Sequence, residues 1–456
     1  MRLQKSKFHF VGVGGIGMCG LAELLHRMGA TVTGSDVAEN ANTERLKELG
    51  VKVFKGHAAE NVGHADVVVY SSAIQYSNPE IAESRIRQIP LIPRAEALAE
   101  IMRIKRGVAI AGTHGKTTTT SMVSAIFLEA NLKPTIFIGG RLELIKSTAL
   151  LGTGEWLLAE ADESDGSFHK LSPEIAVITN IDSDHLDHFK TFENLQKSFY
   201  DFAMRVPFYG LCIVCGDDPL VHTIFENYPK RIKFYGFSEK NDIVLEGEQG
   251  RYTVYCKELA SGGVEKRVKL GEFQLNVPGR HNALNAMAAI LAGMHAGLDF
   301  ETCARGLKLF EGVDRRFHFK GEKKGIRVYD DYGHHPTEVR AVLQAFREKY
   351  PKNRLVVYFQ PHRYSRTQNC WHEFTSCFAQ ADNVLVTDIY PAGETAIPGI
   401  HSEKLVQDMK HQGAKYFVRE PNSADQITGM LKDGDIFITL GAGDGWKLGL
   451  EVLNKI

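Results

Sequence analysis

The stretch AGTHGKTTTT at residues 111–120 ends like a phosphate-binding loop and begins unlike one. The nucleotide-binding pattern G-x-x-x-x-G-K-[ST] places a glycine six residues before its lysine; Ile110 stands there, and Gly112 is only four before Lys116. A shortened loop still cradles phosphates if Gly112 and Gly115 let the backbone approach, since an apolar strand precedes it and a helix is predicted over 119–130. The loop from Gly112 through Thr113, His114, Gly115, Lys116, Thr117 and Thr118 then faces an anion at the positive end of that helix. Lys116 adds a point charge, and the Thr117 hydroxyl suits a magnesium ion. The bland alternative is an ordinary strand-to-helix turn.

Downstream residues favour the phosphate loop. EADESD (160–165) leaves one apolar strand and NIDSDHLDHF (180–189) leaves the next, where buried charges otherwise lack compensation. A nucleoside triphosphate carries about four negative charges, and one close charge pair is worth on the order of 4 kcal/mol at an effective dielectric near 20. Thr117, Glu160 and His185, from three neighbouring strand ends, could share a magnesium ion that offsets this charge. His188 lies three residues after His185, but no cysteine is near enough for a zinc site.

Three further groupings could bind ligands. Gly12, Gly14 and Gly17, with Gly15 and Ile16 between them, make G-x-G-x-x-G after a strand, and Asp36 follows at the distance of a ribose-binding acid. Read alone, that turn says NAD, yet any pyrophosphate makes the same demand of a helix end. Asn282 and Asn285 lie three apart on a predicted helix over 281–296, where amides can pair with the edge of an adenine. Arg363 and Arg366 have the same spacing and could fork onto one small carboxylate.

A length of 456 residues suggests about three domains of roughly 150 residues each. The 54 basic and 55 acidic residues nearly cancel, so no global field recruits nucleic acid or an anionic membrane. The basic start and apolar stretch imitate a signal peptide, but four glycines between residues 12 and 17 argue against one. With no run near the roughly 18 apolar residues of a membrane span, the chain reads as cytoplasmic. The seven cysteines read as reduced thiols, and the Cys212/Cys215 pair has no second pair at ligand spacing.

Residues 8–95 alternate short apolar runs with helical patterns, which implies a parallel sheet wound in βαβ units. QIPLIPRAEALAEIMR reads as a proline-marked hinge and a helix. A second α/β cycle starts at GVAIAGTHGK, residues 230–278 alternate at period two like antiparallel hairpins, and the α/β rhythm resumes from 326. The expected domains are 1–106, 107–313 and 314–456.

In chain order, GTHGKTTTT, EADESD, TNIDSDHLDHF, PGRHNALNA, DDYGHHPTE, FQPHRYSRT and YPAGE resemble the Mur ligases over essentially the whole length. The resemblance implies a Rossmann-like UDP-sugar domain, a central P-loop ATPase domain with a parallel sheet plus a small antiparallel one, and a Rossmann-like amino-acid domain. It implies ATP and Mg2+, UDP-N-acetylmuramate as acceptor and L-alanine as amine, in a monomer or weak homodimer. The alternatives are a recycling ligase that adds a murein tripeptide and, from another class, an NAD-dependent oxidoreductase. Lys116, Glu160, His185 and His334 are the implied catalytic residues, with magnesium on Thr117, Glu160 and His185. Arg316 and Asp331 join Asn282 and Asn285 around ATP. Tyr332, His334, His362, Arg363 and Arg366 surround the amino acid. Gly12, Gly14, Gly15, Ile16, Gly17, Asp36, Ser71 and Ser72, with His57 beside them, face the nucleotide-sugar.

Overall fold

The computed structural model describes the whole chain except Met1, Ser72, Glu143, Lys146, Asp165 and residues 260–264. It divides into two compact units, Met1–Glu246 with Tyr252–Gln274 and Leu284–Phe310, and Gly247–Arg251 with Leu275–Ala283 and Glu311–Ile456. Among the described residues no helix is long and apolar enough to cross a membrane.

The first unit opens with five parallel strands, β1 (Lys7–Val11), β2 (Thr31–Asp36), β3 (Lys52–Lys55), β4 (Val67–Tyr70) and β5 (Leu91–Pro93), in the order β3-β2-β1-β4-β5. The order reverses at β1, so the loop leaving its carboxyl end borders the crevice where ligands of such sheets sit. Met18, Leu21, Ala22 and Leu25 give the helix Ile16–Arg27 its buried face, and Gly29 ends it at φ 97°. The proline-marked stretch expected as a hinge contributes a strand: Pro93 pairs with Tyr70 at the sheet edge, where its missing N–H costs no ladder bond.

A second sheet carries ten strands: β6 (Arg106–Ala111), β7 (Thr135–Leu142), β8 (Ser147–Leu150), β9 (Trp156–Glu160), β10 (Ile175–Ile178), β11 (Leu211–Cys215), β12 (Ile232–Gly236), β13 (Ile243–Glu248), β14 (Arg251–Leu259) and β15 (Glu265–Gln274). Their order is β15-β14-β13-β12-β11-β10-β6-β9-β7-β8, so the period-two stretch 230–278 extends this sheet rather than standing apart. β6 pairs in parallel with β9 (Ile110 opposite Glu160) and with β10 (Ala111 opposite Ile178), which brings three carboxyl ends to one rim. β6 and β10 are buried on both faces, as their Val, Ile and Ala content requires of central parallel strands. The helix Ile16–Arg27 packs on β7 and β8, with Gly20 against Phe137, Thr148 and Ala149, so one core runs through both sheets. Cys212 and Cys215 are buried in β11, and burial pushes the Cys215 thiol up to about 12.

The second unit holds β16 (His318–Lys323), β17 (Ile326–Asp331), β18 (Leu355–Phe359), β19 (Asn383–Val386), β20 (Ala414–Tyr416) and β21 (Ile436–Leu440), in the order β16-β17-β21-β18-β19-β20. β16 pairs antiparallel with β17, and the remaining pairs are parallel. Residues 330–334 and 360–366 therefore leave neighbouring carboxyl ends on the two sides of β21.

Candidate active site

At the end of β6, Gly112 (φ 130°) and Gly115 (φ 83°) hold backbone conformations that other residues adopt only with strain. A Cβ at Gly112 would overlap the Thr179 hydroxyl, and one at Gly115 would come within 2.8 Å of the Asn285 amide. Residues after β10 brace the loop: Thr179 Oγ1 and Asn180 Nδ2 donate to the His114 carbonyl at 2.6 and 3.0 Å, and Asn180 Oδ1 accepts the His114 N–H at 2.9 Å. Asp182 N donates to Thr113 Oγ1 at 2.9 Å, and Asp182 Oδ2 pairs with His114 Nε2 at 2.9 Å. The helix Lys116–Glu129 follows with Gly115 as its N-cap and no side-chain cap, so its first N–H groups point into the loop.

The structure brings Lys116, Glu160 and His185 to the same rim. Lys116 Nζ donates to the carbonyls of Gly112 (2.7 Å) and Thr113 (3.2 Å) and to Glu163 Oε1 (2.8 Å). Burial works against its charge, but Glu163, Asp162 and Glu160 together hold the ammonium above its ordinary pKa. Glu160 accepts the Gly139 N–H at 2.9 Å and bonds the Thr117 hydroxyl; burial still raises its carboxyl above the usual range. His185 opens a short helix at φ 57°, with Nε2 3.8 Å from Glu163 and 3.7 Å from Asp184.

Two residues here escaped the sequence reading. Glu163 is 1 % exposed; its Oε2 also lies 2.8 Å from the Lys116 ammonium yet has no hydrogen-bond partner, and burial pushes its carboxyl up to about 7. Its place inside EADESD, three residues after Glu160, was the available signal. Arg94 had no local signal: its guanidinium crowds Gly17, where a Cβ would stand 2.8 Å from Nη1, and it reaches Asp162 at 3.4 Å.

The amino-terminal turn is tied from β2. The Ser35 carbonyl accepts the N–H groups of Gly12 and Val13 at 2.9 and 3.0 Å, and Asp36 Oδ2 accepts that of Gly14 at 2.8 Å. Asn40 and Asn42 donate to the Gly14 carbonyl. Gly15 is the N-cap before Ile16 and Gly17, again without a side-chain cap. Ser71 lies at the end of the neighbouring β4, and its N–H donates to Val11. Ser72 lies outside the described residues.

In the second unit Tyr332, His334, His362 and Arg366 form a connected group. His334 packs edge-on against Tyr332 (5.3 Å between ring centroids) and 5.6 Å from His362, whose ring stacks on Tyr390. His334 Nδ1 contacts the Tyr332 carbonyl at 2.9 Å, which makes it the protonated nitrogen and leaves the Nε2 lone pair available. Burial depresses this imidazole to about 3, so it stays neutral. Arg366, nearly buried, donates to the His362 carbonyl at 3.3 Å, and Arg363 precedes its helix at φ 71°. Asp331 accepts the Gly333 and Phe317 N–H groups at 2.7 Å each, and burial raises its carboxyl to about 6. Arg316 pairs with Glu338 at 3.3 Å and lies over the Tyr332 ring. Asn282 and Asn285 are both buried on the helix Arg280–His295; the Asn282 amide donates to the Pro278 carbonyl at 2.6 Å.

Family models match this chain in three consecutive stretches: Mur ligase family, catalytic domain (residues 7–106), Mur ligase middle domain (110–293) and Mur ligase, glutamate ligase domain (315–443). The chain belongs to the Mur ligase family. It is 77% identical, over 100% of both chains, to the UDP-N-acetylmuramate--L-alanine ligase of Bdellovibrio bacteriovorus, and 48% identical, over 99% of both, to the ligase of the same name from Trichlorobacter lovleyi. Among solved structures, the UDP-N-acetylmuramate-alanine ligase of Thermotoga maritima superposes with a TM-score of 0.80 at 29% identity, covering 99% of each chain. A murein peptide ligase from Psychrobacter arcticus shares the fold at 22% identity, with a TM-score of 0.70 over 98% of each chain. As a Mur ligase, the chain uses its G-x-G-x-x-G turn in a ligase and not in an NAD-dependent oxidoreductase.

Proposed function

We infer that this Mur ligase joins L-alanine to UDP-N-acetylmuramate, driven by ATP, in the synthesis of peptidoglycan precursors. The observation that carries the reading is the convergence of Lys116, Glu160 and His185 on one sheet rim, in a chain 77% identical throughout to a ligase of that name.

A carboxylate resists attack by an amine because it is anionic and oxide is no leaving group. Transfer of the ATP γ-phosphoryl group to the lactyl carboxylate removes both obstacles and releases ADP. The alanine ammonium first loses a proton to water, its nitrogen then attacks the acyl carbon, and the tetrahedral intermediate collapses with cleavage of the C–O bond to phosphate and release of a second N–H proton to solvent. Lys116 is proposed to leave Glu163 for the terminal phosphates and spread the charge of the transferring group. The donor set of Thr117, Glu160 and His185 fits a divalent ion: the first two already meet, and the buried Glu163 carboxylate lies 3.8 Å from His185. A magnesium ion held there would draw negative charge off the phosphates.

For the amino acid, Arg366 and Arg363 are proposed to take the carboxylate and Tyr332, His334 and His362 to line its pocket. A neutral His334, with Nδ1 engaged by the Tyr332 carbonyl, is proposed to accept a hydrogen bond from the amine at Nε2. Its low pKa fits an orienting acceptor better than a lasting proton store. Asn282, Asn285, Arg316 and Asp331 are proposed nucleotide contacts, and the turn at Gly12–Gly17, with Asp36 and Ser71, holds the UDP-sugar.

The test offers UDP-N-acetylmuramate and ATP with single amino acids and follows phosphate release. Alanine is expected to stimulate it, with slower turnover of glycine and serine, since one methyl group discriminates by only about 1 to 3 kcal/mol. Stimulation by a murein tripeptide and none by alanine would overturn the amine assignment.

A further inference from the structure

Behind the amino-terminal turn lies a carboxylate that the mechanism does not use. Glu80 opens no surface to solvent, although it sits in the first turn of the exposed helix Pro79–Ile86. Four residues from three segments far apart in sequence meet it. Ser35 Oγ, at the end of β2, donates to Oε2 at 2.6 Å; His57 Nδ1, just past β3, lies 3.0 Å from the same oxygen; and Asn61 Nδ2 donates to Oε1 at 2.7 Å. His9, in the middle of β1 and equally buried, stands 3.6 Å from Oε1. Burial alone would raise this carboxyl, but His9, Ser35 and Asn61 bring it down to about 2, so it is an anion at any working pH.

The wiring leads to the turn. Ser35 is the residue whose carbonyl receives the N–H groups of Gly12 and Val13, and the next residue, Asp36, receives that of Gly14. The Asp36 carbonyl in turn accepts the Gly56 N–H, beside His57. The proton states follow from the contacts. Ser35 gives its hydrogen to the carboxylate, so His57 Nδ1, 3.0 Å from both Ser35 Oγ and Glu80 Oε2, carries the ring proton. In the neutral ring Nε2 is then the lone-pair nitrogen, and 13% of the side chain is open to solvent. An acceptor fixed this way at the carboxyl end of the sheet suits a neutral donor, such as a ribose hydroxyl or the imide N–H of a uracil.

We propose that Glu80 is a positioning residue for the nucleotide-sugar: from inside the domain it fixes Ser35 behind the glycine turn and orients His57 to accept a hydrogen bond from the nucleoside. The proposal rests on the reading that this turn binds a UDP-sugar. A glutamine at position 80 keeps the volume, but its NH2 must face either Asn61 or the Ser35 and His57 donors, so one side of the network is lost.

The experiment is a double-mutant cycle with Glu80→Gln, His57→Gln and the pair, reading UDP-N-acetylmuramate binding by calorimetry and the KM of each substrate. Each single change is expected to weaken UDP-N-acetylmuramate binding about tenfold, the worth of one hydrogen bond to a charged or fixed partner, while the KM values for ATP and alanine hold. The pair is expected to be no worse than either single variant, because both remove the same contact, and Glu80→Asp is expected to recover part of the loss. Additive losses, an undiminished affinity in His57→Gln, or a rise shared equally by the ATP KM would overturn the proposal. A wild-type enzyme that fails to turn over alanine with UDP-N-acetylmuramate would instead refute the functional reading, so the two failures are separable.

Discussion

Gly12 and Gly112 each end a parallel strand at positive φ, 82° and 130°, and each is followed four residues later by a helix whose N-cap is a glycine with no side-chain cap. By backbone alone the two turns are nearly interchangeable anion cradles. Their surroundings differ. The central loop carries Lys116 and faces Glu160, Asp162 and Glu163 from the next strand end, a set that can place a cation and move a phosphoryl group. The amino-terminal turn has no lysine; Asp36, Asn40 and Asn42 spend their polar groups on its backbone, and the buried Glu80 braces it from behind. A strand-to-helix turn supplies binding in both places, and the side chains converging on it decide whether anything is transferred.

The largest test of that contrast is Lys116→Met, expected to lower kcat by roughly 10³-fold or more in a phosphate-release assay. A loss near tenfold would place the chemistry elsewhere. Asp36→Ala is expected to raise the KM for UDP-N-acetylmuramate about tenfold with kcat nearly kept; a collapse of kcat would erase the distinction between holding and transferring.

The glycines sharpen the comparison further. Both positions hold a positive φ, but Gly112→Ala also forces a Cβ into the Thr179 hydroxyl, whereas Gly12→Ala meets Ser71 and Ile74 only at 3.3 Å. Denaturant unfolding is expected to show a cost of about 3 kcal/mol for the first and about 1 kcal/mol for the second. The smallest effect concerns pH. The Glu80 carboxyl is held near 2 in the fold against 4.5 ordinarily, so its stabilisation is present above 4.5 and disappears as pH falls toward 2. Melting curves of Glu80→Gln are expected to depend less on pH across that window than those of the parent chain.

Much of this was legible in the sequence because the chemistry sits in short contiguous runs. Lys116, Thr117, Glu160 and His185 each follow an apolar strand, and parallel pairing of those strands was enough to bring them together. Arg94 was hidden because its partners lie 77 residues before it at Gly17 and 68 after it at Asp162, joined by tertiary packing alone. Glu163 stood in plain view, but only burial separates it from a solvated acid. The strand Leu91–Pro93 was obscured by its prolines, which punctuate a turn in most settings and are tolerated here at a sheet edge. The hairpin strands after 230 were readable as strands, while their attachment to the main sheet depends on edge pairing that periodicity does not encode.

The seat of the helix Ile16–Arg27 on β7 and β8 bears on how the enzyme could be dissected. A fragment cut near residue 106 would lose the floor beneath Gly20 and expose an oily strip, so it is expected to clump instead of standing as a miniature receptor. Warming the intact chain is accordingly expected to melt both cradles in a single cooperative step, as one slab of shared masonry.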